Sequence, residues 1–114
     1  NDMIRPALYQ AWMDIQKVDK TTAGQLTQWD VVGPVCETSD FLGKARTLSL
    51  SQGELLAMFG AGAYGFTMSS NYNSRPRAPE IMVDGSEAHL ARPRETLADL
   101  IRGETCLPDP GAGA

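Results

Sequence analysis

Eight consecutive residues, Gly33-Pro34-Val35-Cys36-Glu37-Thr38-Ser39-Asp40, hold the densest reactive chemistry in the chain: a thiol, two carboxylates and two hydroxyls. They follow the strand-like segment 29–32, and a Gly-Pro break that hands a strand over to a polar loop presents side chains at an element's edge. A thiol beside a carboxylate can relay protons, and the carboxylate can hold an ammonium group. The plainer alternative for Cys36 is a structural cysteine in a polar loop.

Two other places offer complementary chemistry. Arg5 and Tyr9 are four residues apart and would share a face of a helix, where guanidinium and phenol form a carboxylate clamp or simply a surface pair. Gly60-Ala61-Gly62-Ala63-Tyr64-Gly65-Phe66 sets three glycines around one tyrosine. Such a loop lets the backbone approach a ligand and leaves amide groups open to an anion, with Tyr64 at its tip. It lacks the Gly-Lys-Ser/Thr of a P-loop and the dinucleotide fingerprint. A tight turn with a packing tyrosine is the competing explanation.

The elements that must position these residues read as mostly β. Residues 1–10 form a turn and a short helical segment with Pro6 in its first turn. Residues 11–18 are extended and 19–28 a polar loop. The segment 29–36 is a strand, Phe41-Leu42-Gly43 ends the reactive loop, and 55–59 is a buried strand. Residues 67–77 are loop-like. Residues 79–90 form a hairpin around Asp84-Gly85, a strong turn signal between apolar runs. His89 reads as a surface side chain on that hairpin. Thr96–Arg102 has an apolar stripe of Leu97, Leu100 and Ile101 and a stop at Gly103. Helical pieces are expected near 3–10, 63–70 and 96–102.

Length and composition bound the function. A chain of 114 residues is one domain at most. Its formal net charge of −4 gives no electrostatic support for nucleic-acid binding. No apolar run approaches the ~20 residues of a membrane helix. The two cysteines, Cys36 and Cys106, lack metal-ligand spacing and fit a reducing cytoplasm. A chain that opens on Asn1 and runs straight into a dense motif reads as a fragment of a longer protein.

Three blocks together carry a resemblance: residues 1–9 (Asn-Asp-Met-Ile-Arg-Pro-Ala-Leu-Tyr), residues 33–42, and Gly62-Ala63-Tyr64-Gly65 through Ser69-Ser70-Asn71-Tyr72-Asn73. In order and approximate spacing they resemble the diaminopimelate decarboxylases, from Asn1 to about Glu104. Ser39 departs from the family, which more often has glycine there. The resemblance implies a pyridoxal 5′-phosphate enzyme that removes carbon dioxide from meso-2,6-diaminopimelate to give L-lysine. It implies two domains, a (β/α)8 barrel and a C-terminal β-barrel or sheet domain. Residues 1–104 would be part of the latter, residues 105–114 a disordered tail, and the barrel absent from this chain.

By motif position the resemblance implies that Arg5 and Tyr9 bind the substrate carboxylate. Cys36 delivers the proton after decarboxylation, Glu37 binds substrate, and Tyr64 sits at cofactor and substrate. The site is shared across a homodimer. The lysine that carries the cofactor belongs to the barrel, and none of Lys17, Lys20 or Lys44 stands in its motif, so the chain alone would be inactive. Two alternatives are a related basic-amino-acid decarboxylase of the same fold and a non-catalytic regulatory relative.

Overall fold

The computed structural model describes residues 1–21 and 24–108; the last part of the expected tail, residues 109–114, lies outside them. The order of elements is α1 (Arg5–Tyr9), β1 (Ile15–Lys17), β2 (Thr27–Val32), β3 (Phe41–Leu48), β4 (Leu56–Met58), two 3₁₀ turns (Phe66–Met68 and Tyr72–Ser74), β5 (Glu80–Asp84), β6 (Glu87–Arg92) and α2 (Leu97–Leu100). The strands pair antiparallel as β1–β4, β2–β3 and β5–β6, three two-stranded sheets that do not close a barrel. The mostly β reading with short helices therefore holds.

The helices form for local reasons. Pro6 occupies the first turn of α1, where its missing N–H costs nothing, and its ring is buried. Gln10 ends the helix in the left-handed region at φ 52°. Thr96 and Asp99 close a capping box at the start of α2. The expected helix at 63–70 shrinks to a 3₁₀ turn at 66–68, because Gly65 within it favours a tight turn over a helix interior.

Four boundaries differ from expectation. The strand read as 29–36 starts two residues earlier and stops at Val32, so Cys36 lies in the following turn. Thr27 and Gln28, loop-like in sequence, pair with Leu48 and Thr47. The strand β3 was not expected over most of its length. In place of a buried strand at 55–59, β4 is a short, half-buried strand flanked by exposed Leu55 and Phe59.

β3 carries an extra residue at each of two places. Trp29 faces Arg46 and Val31 faces Gly43, so Asp30 alone lies opposite Lys44 and Ala45, and a second shift follows where Val32 faces Phe41. Ala45 takes up the first shift at φ 53°, and its N–H donates to Asp30 Oδ1 at 2.8 Å. Such a bulge re-aims the side chains that follow it.

The core is small. Among the described residues the buried apolar side chains are Met3, Pro6, Met13 and Ile15. The hairpin β5–β6 places Ile81, Val83, Ala88 and Leu90 on one face by its register, and all four are exposed. His89 is exposed as expected, with Nε2 3.6 Å from Glu87. The accessible surface is 8714 Å², whereas a compact monomer of this mass exposes about 6,100 Å². A two-stranded sheet is marginal alone, and each of these three leaves edges and faces for something else to cover.

Candidate active-site face

The structure brings together two of the three sequence blocks. The Arg5 guanidinium lies 4.8 Å from the centre of the Tyr64 ring and 5.5 Å from that of Tyr9. Tyr9 reaches it by helical spacing, as expected. Tyr64 reaches it because the glycine-rich loop folds back against the N-terminal segment. The Gly65 N–H donates to the Ala61 carbonyl at 2.6 Å, and an added Cβ on Gly65 would lie 2.6 Å from that oxygen. Only glycine fits that turn, which leaves the Tyr64 ring exposed at its tip.

The arrangement joins a cation to two phenols on an open face. Arg5 is half-buried and both rings are exposed, so an anionic group can dock against the guanidinium while a planar group lies beside the rings. Gly62 next to them faces open space.

Polar struts hold this face. Asp2 accepts from Arg75 through Nε at 3.1–3.2 Å and Nη2 at 2.8 Å, tying the N-terminal block to the end of the second 3₁₀ turn. Arg77 and Arg92 lie on the Phe66 ring at 4.6 and 4.2 Å. Arg77 in turn donates to Glu95 at 2.6–2.8 Å. Side-chain and backbone hydrogen bonds from Arg77, then Asn71, hold the Glu95 carboxyl down at about 2. These residues escaped the sequence reading. The alternating Arg75-Pro76-Arg77, with acids far away in the chain, was the available signal.

Cys36 and Glu37 are exposed on the β2–β3 turn, and none of the hydrogen bonds of Glu37 reaches Arg5, Tyr9 or Tyr64. The turn closes on itself. Glu37 Oε1 accepts from the Ser39 N–H and from the Thr38 and Ser39 hydroxyls at 3.2–3.3 Å. The Ser39 amide first, then those hydroxyls, hold its carboxyl below the usual carboxylate range, so it stays charged. Asp40 is the residue whose part the sequence concealed. Its carboxylate is 4% exposed and accepts from the Val35 N–H at 2.8 Å, while its own carbonyl accepts from Gly33 at 2.8 Å. It shapes the turn and presents Cys36, a free thiol.

The three lysines are engaged away from this face. Lys17 pairs with Glu54 at 2.5 Å, Lys20 donates to Gln16 at 2.9 Å, and Lys44 lies 4.3 Å over the Phe41 ring. The chain thus offers side chains around an anionic, planar cofactor but no lysine placed to carry one.

The face belongs to a domain of paired strands and short helices that presents an arginine flanked by tyrosines. Residues 1–62 match the family described as "Pyridoxal-dependent decarboxylase, C-terminal sheet domain", and the chain belongs to that family. Among its curated relatives are diaminopimelate decarboxylases. That of Vibrio cholerae is 59% identical over 109 residues, covering 96% of this chain and 26% of that protein. That of Pseudomonas aeruginosa is 58% identical over 108 residues, covering 95% and 26%. The crystal structure of diaminopimelate decarboxylase from M. jannaschii in co-complex with L-lysine superposes with a TM-score of 0.85 at 37% identity, covering 94% of this chain and 24% of that one. The chain spans about a quarter of the length of the relatives it matches.

Proposed function

We propose that residues 1–104 are part of the C-terminal β domain of a decarboxylase that converts meso-2,6-diaminopimelate to L-lysine and carbon dioxide with pyridoxal 5′-phosphate. The observation that carries this reading is the Arg5–Tyr64–Tyr9 cluster. It joins sequence blocks far apart in the chain into a receptor for a carboxylate beside a planar ring. The high identity to diaminopimelate decarboxylases supports the substrate. The co-complex of a similar structure with L-lysine supports an amino-acid ligand.

When bound, the cofactor supplies an electron sink for the carbanion left by the departing carboxylate. The chain's own residues then have defined tasks. Arg5 and Tyr9 hold and orient the substrate carboxylate. Tyr64 borders both substrate and cofactor. Glu37, charged through its own turn, pairs with the substrate's ammonium group. Cys36 delivers a proton to the carbon from which carbon dioxide has left. No described lysine is placed to carry the cofactor, so the 114 residues alone are inactive and the holder lies in a (β/α)8 barrel domain. Free, exposed Cys36 and Cys106 suit a reducing cytoplasm. Among the described residues no helix is long and apolar enough to cross a membrane.

The hydrogen bonds of Glu37 all fall within its own turn, and the resemblance to the family favours a homodimer whose sites are shared. In this reading the Cys36 turn of one subunit serves the cluster of the other. The test is complementation in the protein of natural length. Cys36→Ala and Tyr64→Phe variants, each nearly inactive, are mixed and allowed to exchange subunits. A shared site restores roughly a quarter of wild-type activity in a two-fold dimer under random exchange. No recovery despite demonstrated exchange would place both groups in one subunit's site. For Cys36→Ala alone, turnover should fall by ~10²–10⁴ with little change in substrate binding. A loss below tenfold removes Cys36 from the proton-transfer step.

A further inference from the structure

Arg46 lies beside α1, in a cleft it shares with Pro6 and Gln10, and nothing above uses it. It is 6% exposed, and its Nε is buried without a hydrogen-bond partner. Among the described residues it makes no salt bridge. Its guanidinium carbon stacks 3.3 Å from the centre of the Trp12 ring. Stacking satisfies the face of a guanidinium but none of its five edge donors. A buried guanidinium N–H with no acceptor is costly, and native structures rarely leave one.

The local structure is arranged to put Arg46 there. In an unbroken strand, residues three apart point to opposite faces. The extra residue of β3 between them returns Gly43 and Arg46 to the same buried side, with Ala45 held in the left-handed region by Asp30. Gly43 is the other half of the fit, because an added Cβ there would collide with Arg46 Nε and lie 2.9 Å from Nη2. Arg46 lines an open cleft of about 220 Å³ with Pro6, Gln10, Trp12, Phe41 and Lys44. Two cations and no acid border that cleft, in a chain whose net charge is −4.

We propose that this cleft is an oxyanion-binding site in which Arg46 grips a carboxylate. A flat guanidinium held by an aromatic face leaves its edge for a two-oxygen acceptor, and Lys44 adds charge at the rim. The carboxylate comes either from an Asp or Glu side chain of polypeptide covering this face or from a free small anion. The surface left uncovered by the chain favours the first. An occupied cleft braces α1, since Pro6 and Gln10 form the helix stripe next to that of Arg5 and Tyr9.

The experiment uses the protein of natural length, dialysed into chloride. Sodium acetate and sodium sulfate are titrated at constant ionic strength while the thermal midpoint is followed, in wild type and in Arg46→Met, which keeps the packing on Trp12. A free-anion site predicts a saturable rise of roughly 2–8 °C in wild type and none in Arg46→Met. A site filled by polypeptide predicts no response to either salt. In that case a crystal structure shows an Asp or Glu oxygen within about 3.2 Å of the guanidinium. Replacing that acid by alanine then lowers the midpoint in wild type but not in Arg46→Met. No salt response together with a guanidinium bare of any acidic oxygen overturns the proposal. Should Arg46→Met fail to fold, the wild-type titration and crystal structure decide between these outcomes on their own.

Discussion

Replacing Gly33 by alanine tests whether Asp40 holds the turn that presents Cys36. Gly33 does not use the left-handed region, so alanine suits its backbone, and the one new contact in the folded turn is the methyl group. That methyl would collide with the carboxylate of Asp40, a buried residue. Displacing the carboxylate breaks the bond it accepts from Val35 and loosens the paired Gly33–Asp40 backbone bond. A hydrogen bond to a charged group is worth about 1.5–3 kcal/mol, so the turn should lose about 2–3 kcal/mol of local stability. Hydrogen exchange reads this directly, because the amides of Gly33, Val35, Glu37, Ser39 and Asp40 all bond within the turn. Their exchange should quicken about 30- to 150-fold while the β5–β6 amides stay unchanged. In an Asp40→Ala background the methyl has nothing to strike, and Gly33→Ala should then be nearly neutral. Exchange within threefold of wild type, or an equal effect in both backgrounds, would refute the role given to Asp40.

Ala45→Gly should stabilise the protein by about 0.5–1 kcal/mol, since alanine is strained at φ 53° and glycine is not; an unchanged or lower unfolding midpoint contradicts this. Glu95, held at about 2 against an ordinary 4.5, stabilises the fold fully above pH 4.5 and loses that contribution as pH falls toward 2. Exchange at the Arg77 amide, which donates to Glu95, should therefore show extra opening across that window in wild type, and Glu95→Gln should remove the dependence.

How much could be read from the chain follows from how local each signal is. The hairpin β5–β6 was legible because Asp84-Gly85 separates two apolar runs, and the turn alone sets its register. The Arg5–Tyr9 pair was legible through a four-residue spacing. The approach of Tyr64 to Arg5 was not, because tertiary folding brings it there. β3 stayed hidden for two reasons. Gly43-Lys44-Ala45-Arg46 is poor in strand formers, and the bulge destroys the two-residue alternation by which a strand is recognised. Asp40 was counted among the reactive carboxylates because its neighbours are polar. Burial reverses that reading, since its charge is spent on the backbone of its own turn.

The means of holding the face has a consequence for its behaviour. With Met3, Pro6, Met13 and Ile15 as the buried apolar side chains of the described residues, packing alone does not fix where Arg5, Tyr64 and Cys36 stand. Charge pairs and turn bonds do so instead. Asp2–Arg75 anchors the segment before α1, Arg77–Glu95 anchors the residues beside Phe66, and Asp40 anchors the Cys36 turn. Exposed pairs of this kind contribute about 0–1 kcal/mol each and weaken with salt, unless covering polypeptide removes water from them. Covering the exposed apolar face Ile81–Val83–Ala88–Leu90 would bury about as much hydrophobic surface as these strands can offer. Desolvation of the nearby Arg77–Glu95 pair in the same step would make its geometry more rigid. Precision at the candidate site would therefore rise wherever covering polypeptide turned this open surface into interior.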